Sequence, residues 1–188
     1  TLERAGLEPA AVDVETFAME RSLAELRRQL SVENDPNACV GLVDIGENMN
    51  AFHVVRGGHI VYSRDTVFGG RQLTDAIRDH YSLSNEEAGF AKKYGGLPDD
   101  YHEKVLNPFL ETVVQQVGRS LQLYYTAARQ HEVQHIVLAG GSSVIPGLAE
   151  RISEDSGMSV TIANPFQRMR VNKRLNICLL YTSDAADE

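Results

Sequence analysis

Two short apolar runs that end abruptly on glycine constrain this chain more than any other feature. The first is Leu42-Val43-Asp44-Ile45-Gly46. The second is Ile136-Val137-Leu138-Ala139-Gly140-Gly141-Ser142-Ser143, followed by Pro146-Gly147. Runs of this length and composition read as buried strands. Each stops at a residue that permits a tight turn and a close approach of other atoms to the backbone. Strand ends of this kind leave backbone N–H groups unpaired, and nucleotide phosphates and sugars sit there. Asp44 adds a carboxylate at the tip of the first strand, where Mg²⁺ or its water shell can be held.

The whole chain sets the outer limits. Its 188 residues suffice for one full domain or two small ones. A net charge of −8 argues against a nucleic-acid footprint. The densest basic stretch, 168–174, holds four basic residues in seven and reads as a solvated loop rather than a phosphate or lipid site. Cys39 and Cys178 stand in no metal or redox spacing, which points to a reducing compartment. His53, His59, His80, His102, His131 and His135 form no metal spacing either. No apolar run reaches the roughly 18 residues that span a bilayer, and no secretory signal precedes the first element. The expectation is a cytosolic protein, or one on the cytosolic face of a membrane. Thr1-Leu2-Glu3-Arg4 reads as the middle of a helix, and 177–188 reads as a non-native tail. The chain is therefore expected to be a fragment, truncated at both ends.

Along the chain, 10–14 reads as a short strand. An amphipathic helix over 16–30 follows, with Phe17, Leu23, Leu26 and Leu30 on one side. Residues 33–37 form a turn cluster and a candidate boundary. Three strands come next, at 39–45, 50–56 and 59–64, the last two joined through Gly57-Gly58. Phe68-Gly69-Gly70 closes the sheet portion. Helices are expected over 71–80, from a Ser84/Glu87 capping box onward until Gly95-Gly96-Leu97-Pro98, and over 103–128. The long helix carries an apolar stripe of Val105, Leu106, Phe109, Val113, Val117, Leu121 and Tyr124. After the second glycine strand, Pro146-Gly147-Leu148 opens a helix to about residue 156, and 160–162 reads as a last strand. A β-meander that switches into helical crossovers predicts an α/β mixed-sheet domain of the actin and sugar-kinase type.

The order of these segments resembles the actin-like ATPase superfamily, with its ribonuclease H-like mixed sheet. Val43-Asp44-Ile45-Gly46 looks like its second phosphate loop. Leu138 to Ser143 with Pro146-Gly147 looks like its adenosine segment, and Val14-Glu15 looks like the start of its first connecting helix. Within the superfamily, three stretches resemble the PilM family of type IV pilus assembly. They are Phe68-Gly69-Gly70-Arg71-Gln72-Leu73-Thr74, Ala91-Lys92-Lys93-Tyr94-Gly95-Gly96-Leu97-Pro98, and Val114-Gln115-Gln116-Val117-Gly118-Arg119-Ser120-Leu121-Gln122. The likeness runs from about residue 6 to 176. It implies the end of a first lobe with its connecting helix at 1–36, second-lobe sheet and phosphate loop at 37–70, a helical insertion at 71–132, and the adenosine segment at 133–176.

The resemblance also implies roles. Asp44 would bind the Mg²⁺ shell of ATP, and Gly46 would let the hairpin backbone approach the phosphates. Gly140, Gly141 and Ser142 would line the sugar and α-phosphate. Gly70 would sit beside the ribose, and Lys92 would flank the adenine pocket, although a solvated helix lysine reads equally well. Gly89 stands where the family often has an acid for the ribose hydroxyls. Glu15 would orient the lytic water as a general base, although a first-turn carboxylate that only complements the helix dipole reads equally well. Glu47-Asn48 departs from the small residues common there, which puts a negative charge near phosphate and argues for at most weak ATPase activity. The function implied is an ATP-binding scaffold at the cytoplasmic face of the inner membrane that grips the short N-terminal segment of PilN, with homo-oligomerisation left open. Two rival readings are an FtsA-like membrane adaptor of cell division and a sugar-kinase-type phosphotransferase. The second would need a further acid or base in the cleft.

Overall fold

The computed structural model describes residues 3–27, 30, 35, 37–128 and 131–164. The basic stretch 168–174, Cys178 and the tail 177–188 lie outside the described residues. Five strands form one mixed sheet: β1 (Cys39–Ile45), β2 (Asn50–Arg56), β3 (His59–Thr66), β4 (Val133–Ala139) and β5 (Ser159–Ile162), in the order β3-β2-β1-β4-β5. β1 pairs antiparallel with β2 and parallel with β4, and β4 pairs parallel with β5. The meander β1-β2-β3 turns through Gly57 and Gly58, whose φ of 60° and 85° suit a tight hairpin twist.

Alternation along the strands builds two apolar layers. Val43 and Ile45 of β1, Phe52 and Val54 of β2, and Ile136 and Leu138 of β4 face α2 (Gly70–Tyr81), α4 (Asn107–Ala128) and α5 (Leu148–Ser156). Val40, Leu42, Val55 and Val137 face the other way, under Leu23 and Leu26 of α1 (Glu15–Leu26) and Leu30. α3 (Asn85–Tyr94) packs beside α2. Its start matches the capping-box expectation, since Ser84 Oγ accepts from the Glu87 N–H and the Glu87 carboxylate accepts from the Ser84 N–H. The apolar stripe expected on the long helix is buried throughout, from Val105 to Tyr124.

Three expectations change. Residues 10–14 form no strand; residues 7–14 are exposed, and no described strand runs beside them to take up their backbone groups. Phe17 does not join the buried side of α1 and is 55% exposed. At 3.6 residues per turn it lies about 120° around the helix from Leu23. The helix expected over 103–128 begins instead as a π-helical turn, His102–Leu106, before α4 proper. The 33–37 cluster is described only at Asp35 and Asn37, where the Asp35 carboxylate accepts from the Asn37 N–H, a turn contact.

An interior strand such as β4 should carry more of the fold than an edge strand. Leu138 is fully buried, whereas Val61 on edge strand β3 is 55% exposed. In denaturant unfolding, Leu138→Ala should cost about 2–5 kcal/mol, and Val61→Ala should stay within about 0.5 kcal/mol of the parent.

Candidate nucleotide site

The parallel register of β1 with β4 sets Asp44 beside Ala139, so the two glycine turns leave the sheet side by side. The start of α2 joins them. The Gly70 N–H donates to Gly46 O (2.9 Å) and the Arg71 N–H to Glu47 O (2.9 Å). Three glycine segments, around Gly46, Gly69-Gly70 and Gly140-Gly141, therefore meet at one end of the sheet.

The glycines serve two separate purposes there. A Cβ on Gly69 would run into the carbonyls of Gly46 and Glu47, and one on Gly70 would lie 2.5 Å from Ser142 Oγ. Gly140, with φ of 84°, packs against the Asp44 carboxylate and the Ile45 carbonyl. These three let chain segments close on one another. Gly141 is different: nothing lies within 4 Å of its Cβ position, so its backbone borders open space. Gly46 contacts its own hairpin, through Met49 O. Ser142 is buried, and Ser143 Oγ donates back to Gly140 O (2.7 Å), bracing the turn.

Alternation places Asp44 on the sheet face that α1 covers, the face shared with Val40 and Leu42. Burial raises its pKa above the ordinary carboxylate value, and the charge of Glu15 at the start of α1 raises it further. No hydrogen bond or ion pair reaches this carboxylate among the described residues. Glu15 itself is exposed. At the hairpin tip Glu47 has a counter-charge, Arg71, at 3.9 Å. Lys92 reaches in from α3 to Thr74 Oγ1 (2.8 Å) and Gly70 O (3.3 Å). The residues singled out from the sequence thus gather at one place: Asp44, Gly46, Gly70, Lys92, Gly140, Gly141 and Ser142, with Glu15 close enough to act on Asp44 electrostatically. Sequence reasoning missed Thr74 and the close packing of Gly69. Thr74 stands one helical turn after Gly70, but nothing local marks its role, because its partner Lys92 is distant in sequence.

A partly buried carboxylate that no described residue neutralises suits a divalent cation. Mg²⁺ keeps most of its waters and takes one or two carboxylates plus phosphate oxygens. The described residues include no cluster of three or more His, Cys, Asp or Glu able to hold a metal alone. The donor set therefore fits an ion that arrives with a phosphate ligand.

Two consequences are measurable. A raised folded-state pKa means that ionised Asp44 opposes folding. The penalty is absent below the ordinary value of 3.8 and grows as pH rises through the folded value. Asp44→Asn should therefore raise the melting temperature at neutral pH, with the gain vanishing below pH 3.8. Among the glycines, Gly140→Ala should lower stability by about 2 kcal/mol or more, from positive φ plus collision. Gly141→Ala should leave stability almost unchanged.

Comparison with known proteins agrees with this architecture. The solved PilM-PilN type IV pilus biogenesis complex contains a chain that superposes with a TM-score of 0.76 at 26% identity, over 96% of this chain and 50% of that one. The ethanolamine utilization protein EutJ of Escherichia coli (strain K12) is 30% identical over 149 residues, 79% of this chain and 46% of the relative. MreB 5 of Spiroplasma citri, solved bound to AMPPNP, shares the fold with a TM-score of 0.55 at 19% identity, over 77% of this chain and 53% of that one. This chain thus spans about half the length of the relatives it matches. The family described as type IV pilus assembly protein PilM matches residues 1–185. With its actin-like mixed sheet and its paired glycine turns, the chain belongs to that family.

Proposed function

We propose that this chain is the nucleotide-holding half of an ATP-binding, actin-like scaffold for type IV pilus assembly. The observation that carries the reading is the convergence of three glycine segments at the end of β1 and β4 that carries Asp44. In this reading 37–70 and 133–176 are the second lobe, 71–132 is its helical insertion, and 1–36 ends the first lobe with its connecting helix. The remaining half of the phosphate clamp comes from the part of the relatives' length that this chain does not span.

Within the site, Asp44 holds the water shell of Mg²⁺, which supplies charge for the phosphates when bound. Gly46 and Gly141 border the phosphates, Gly70 and Ser142 the sugar, and Lys92 the base. Glu15 orients water. Arg71 offsets part of the charge that Glu47 brings to the hairpin tip, and hydrolysis is slow. No helix among the described residues is long and apolar enough to cross a membrane. The scaffold works at the cytoplasmic face of the inner membrane by docking the N-terminal segment of a PilN-like partner. The support for that partner is the likeness to the chain solved in a PilM-PilN complex. Nucleotide occupancy then biases the angle between lobes and so tunes partner affinity.

Isothermal titration of the full-length protein tests the site. Asp44→Ala should weaken Mg·ATP binding by about 1.5–3 kcal/mol, the worth of a charged contact, and metal-free ATP binding by less. Equal losses with and without Mg²⁺ would leave Asp44 a structural residue. This chain by itself should bind ATP poorly.

Affinity for a PilN N-terminal peptide tests the scaffold. Asp44→Ala should abolish the dependence of peptide affinity on ATP, a coupling of about 1–3 kcal/mol, while Glu15→Ala should preserve it. If Glu15→Ala removes the ATP dependence of peptide affinity as thoroughly as Asp44→Ala, turnover is required and the scaffold reading fails.

A further inference from the structure

Lys92 is held in place by two groups on the neighbouring helix. Its Nζ donates to Thr74 Oγ1 at 2.8 Å and to Gly70 O at 3.3 Å, both on α2, although Lys92 itself stands on α3. Thr74 Oγ1 donates in turn to the same Gly70 carbonyl, at 3.3 Å. Ammonium, hydroxyl and carbonyl thus close a triangle between two helices. The corner at Gly70 also packs closely against the second glycine turn. A Cβ there would lie 3.6 Å from Lys92 Nζ and 2.5 Å from Ser142 Oγ. The lysine cation and the Ser142 hydroxyl therefore both lie against the Cβ side of one glycine.

Space lies next to this triangle. Gly89 precedes Lys92 by three residues, so the two share a face of α3. Nothing lies within 4 Å of the Gly89 Cβ position. An ammonium on a flexible four-carbon stem loses about 2 kcal/mol of rotamer entropy when it is fixed. Here the fold meets part of that cost before any ligand arrives, and a preorganised cation binds better than a mobile one.

We infer that Thr74 is a positioning residue: it holds the Lys92 ammonium over Gly70 and Ser142, ready for the acceptor atoms of a nucleotide's base and sugar. The inference rests on the nucleotide reading of the site given above. Thr74 touches no ligand itself and acts through Lys92. Its hydroxyl suits the task because it accepts from the ammonium while donating to Gly70 O, so both of its roles are occupied. Valine would keep the shape and lose both bonds. Serine would keep both.

The test uses the full-length protein, with Mg·ATP and Mg·tripolyphosphate as probes; tripolyphosphate carries the phosphates without base or sugar. Thr74→Val should weaken Mg·ATP binding about tenfold, as for one lost hydrogen bond to a charged group. Thr74→Ser should stay within about twofold of the parent, since it keeps that bond. Lys92→Met should weaken Mg·ATP at least as much as Thr74→Val, and adding Thr74→Val to it should cost nothing further, because the two act as one unit. Tripolyphosphate should bind the parent and all variants alike. Should Thr74→Val not fold, Thr74→Ala carries the same comparisons.

A parent that binds ATP while Thr74→Val binds it equally well overturns the inference and leaves the nucleotide reading standing. Additive losses from Thr74→Val and Lys92→Met overturn it too, since Thr74 would then act without Lys92. A matching loss for tripolyphosphate makes Thr74 a general structural residue. A parent that binds no nucleotide overturns both readings at once.

Discussion

The pairing of β1 with β4 is the constraint on which the rest depends. Because the two strands run parallel and in register, with Asp44 beside Ala139, both glycine turns leave the sheet at the same end. A parallel pair requires a crossover connection, and this chain fills it with β2, β3 and helices α2 to α4. The crossover returns α2 to the loop after β1, where its first two N–H groups are taken by the carbonyls of Gly46 and Glu47. One register therefore sets which segments can meet, and the glycines let them meet at backbone distance.

The cost of this arrangement falls on Asp44. Alternation that buries Val40 and Leu42 under α1 sends Asp44 to the same face. Its ionised form is opposed by partial burial and by the nearby charge of Glu15. A fold optimised for stability alone would place an amide or an apolar residue there. Strain of this kind concentrates at functional sites, and it agrees with a site completed by a cation and a phosphate ligand.

Much of this was legible in the sequence because the relevant signals are local. Apolar runs ending in glycine located β1 and β4, the Ser84/Glu87 pair marked the start of α3, and the stripe from Val105 to Tyr124 identified the buried face of the long helix. What escaped depends on distant partners. Residues 10–14 have strand-like composition, but a strand exists only beside another strand. Phe17 looks apolar enough for a core, yet the sheet meets α1 at Leu23 and Leu26. The π-turn at 102–106 leaves the apolar pattern intact and changes only the hydrogen-bond spacing. The tie from Lys92 to Thr74 spans two helices and has no local sign. Glycine alone also could not disclose its purpose: Gly70 and Gly140 serve contacts within the protein, and Gly141 borders open space.

One contact of α1 has a wider consequence. β3 lies at the margin of the sheet, and a marginal strand offers its amides to any passing chain. Glu20 of α1 takes the Ile60 N–H at 2.7 Å, and its other oxygen lies 3.4 Å from His59 Nδ1. The helix that covers one face of the sheet thus also shields part of its border. Any displacement of α1 would uncover that amide as it loosened the packing of Leu23 and Leu26, so the seating of one helix links the shape of the molecule to its resistance to strand-to-strand self-association.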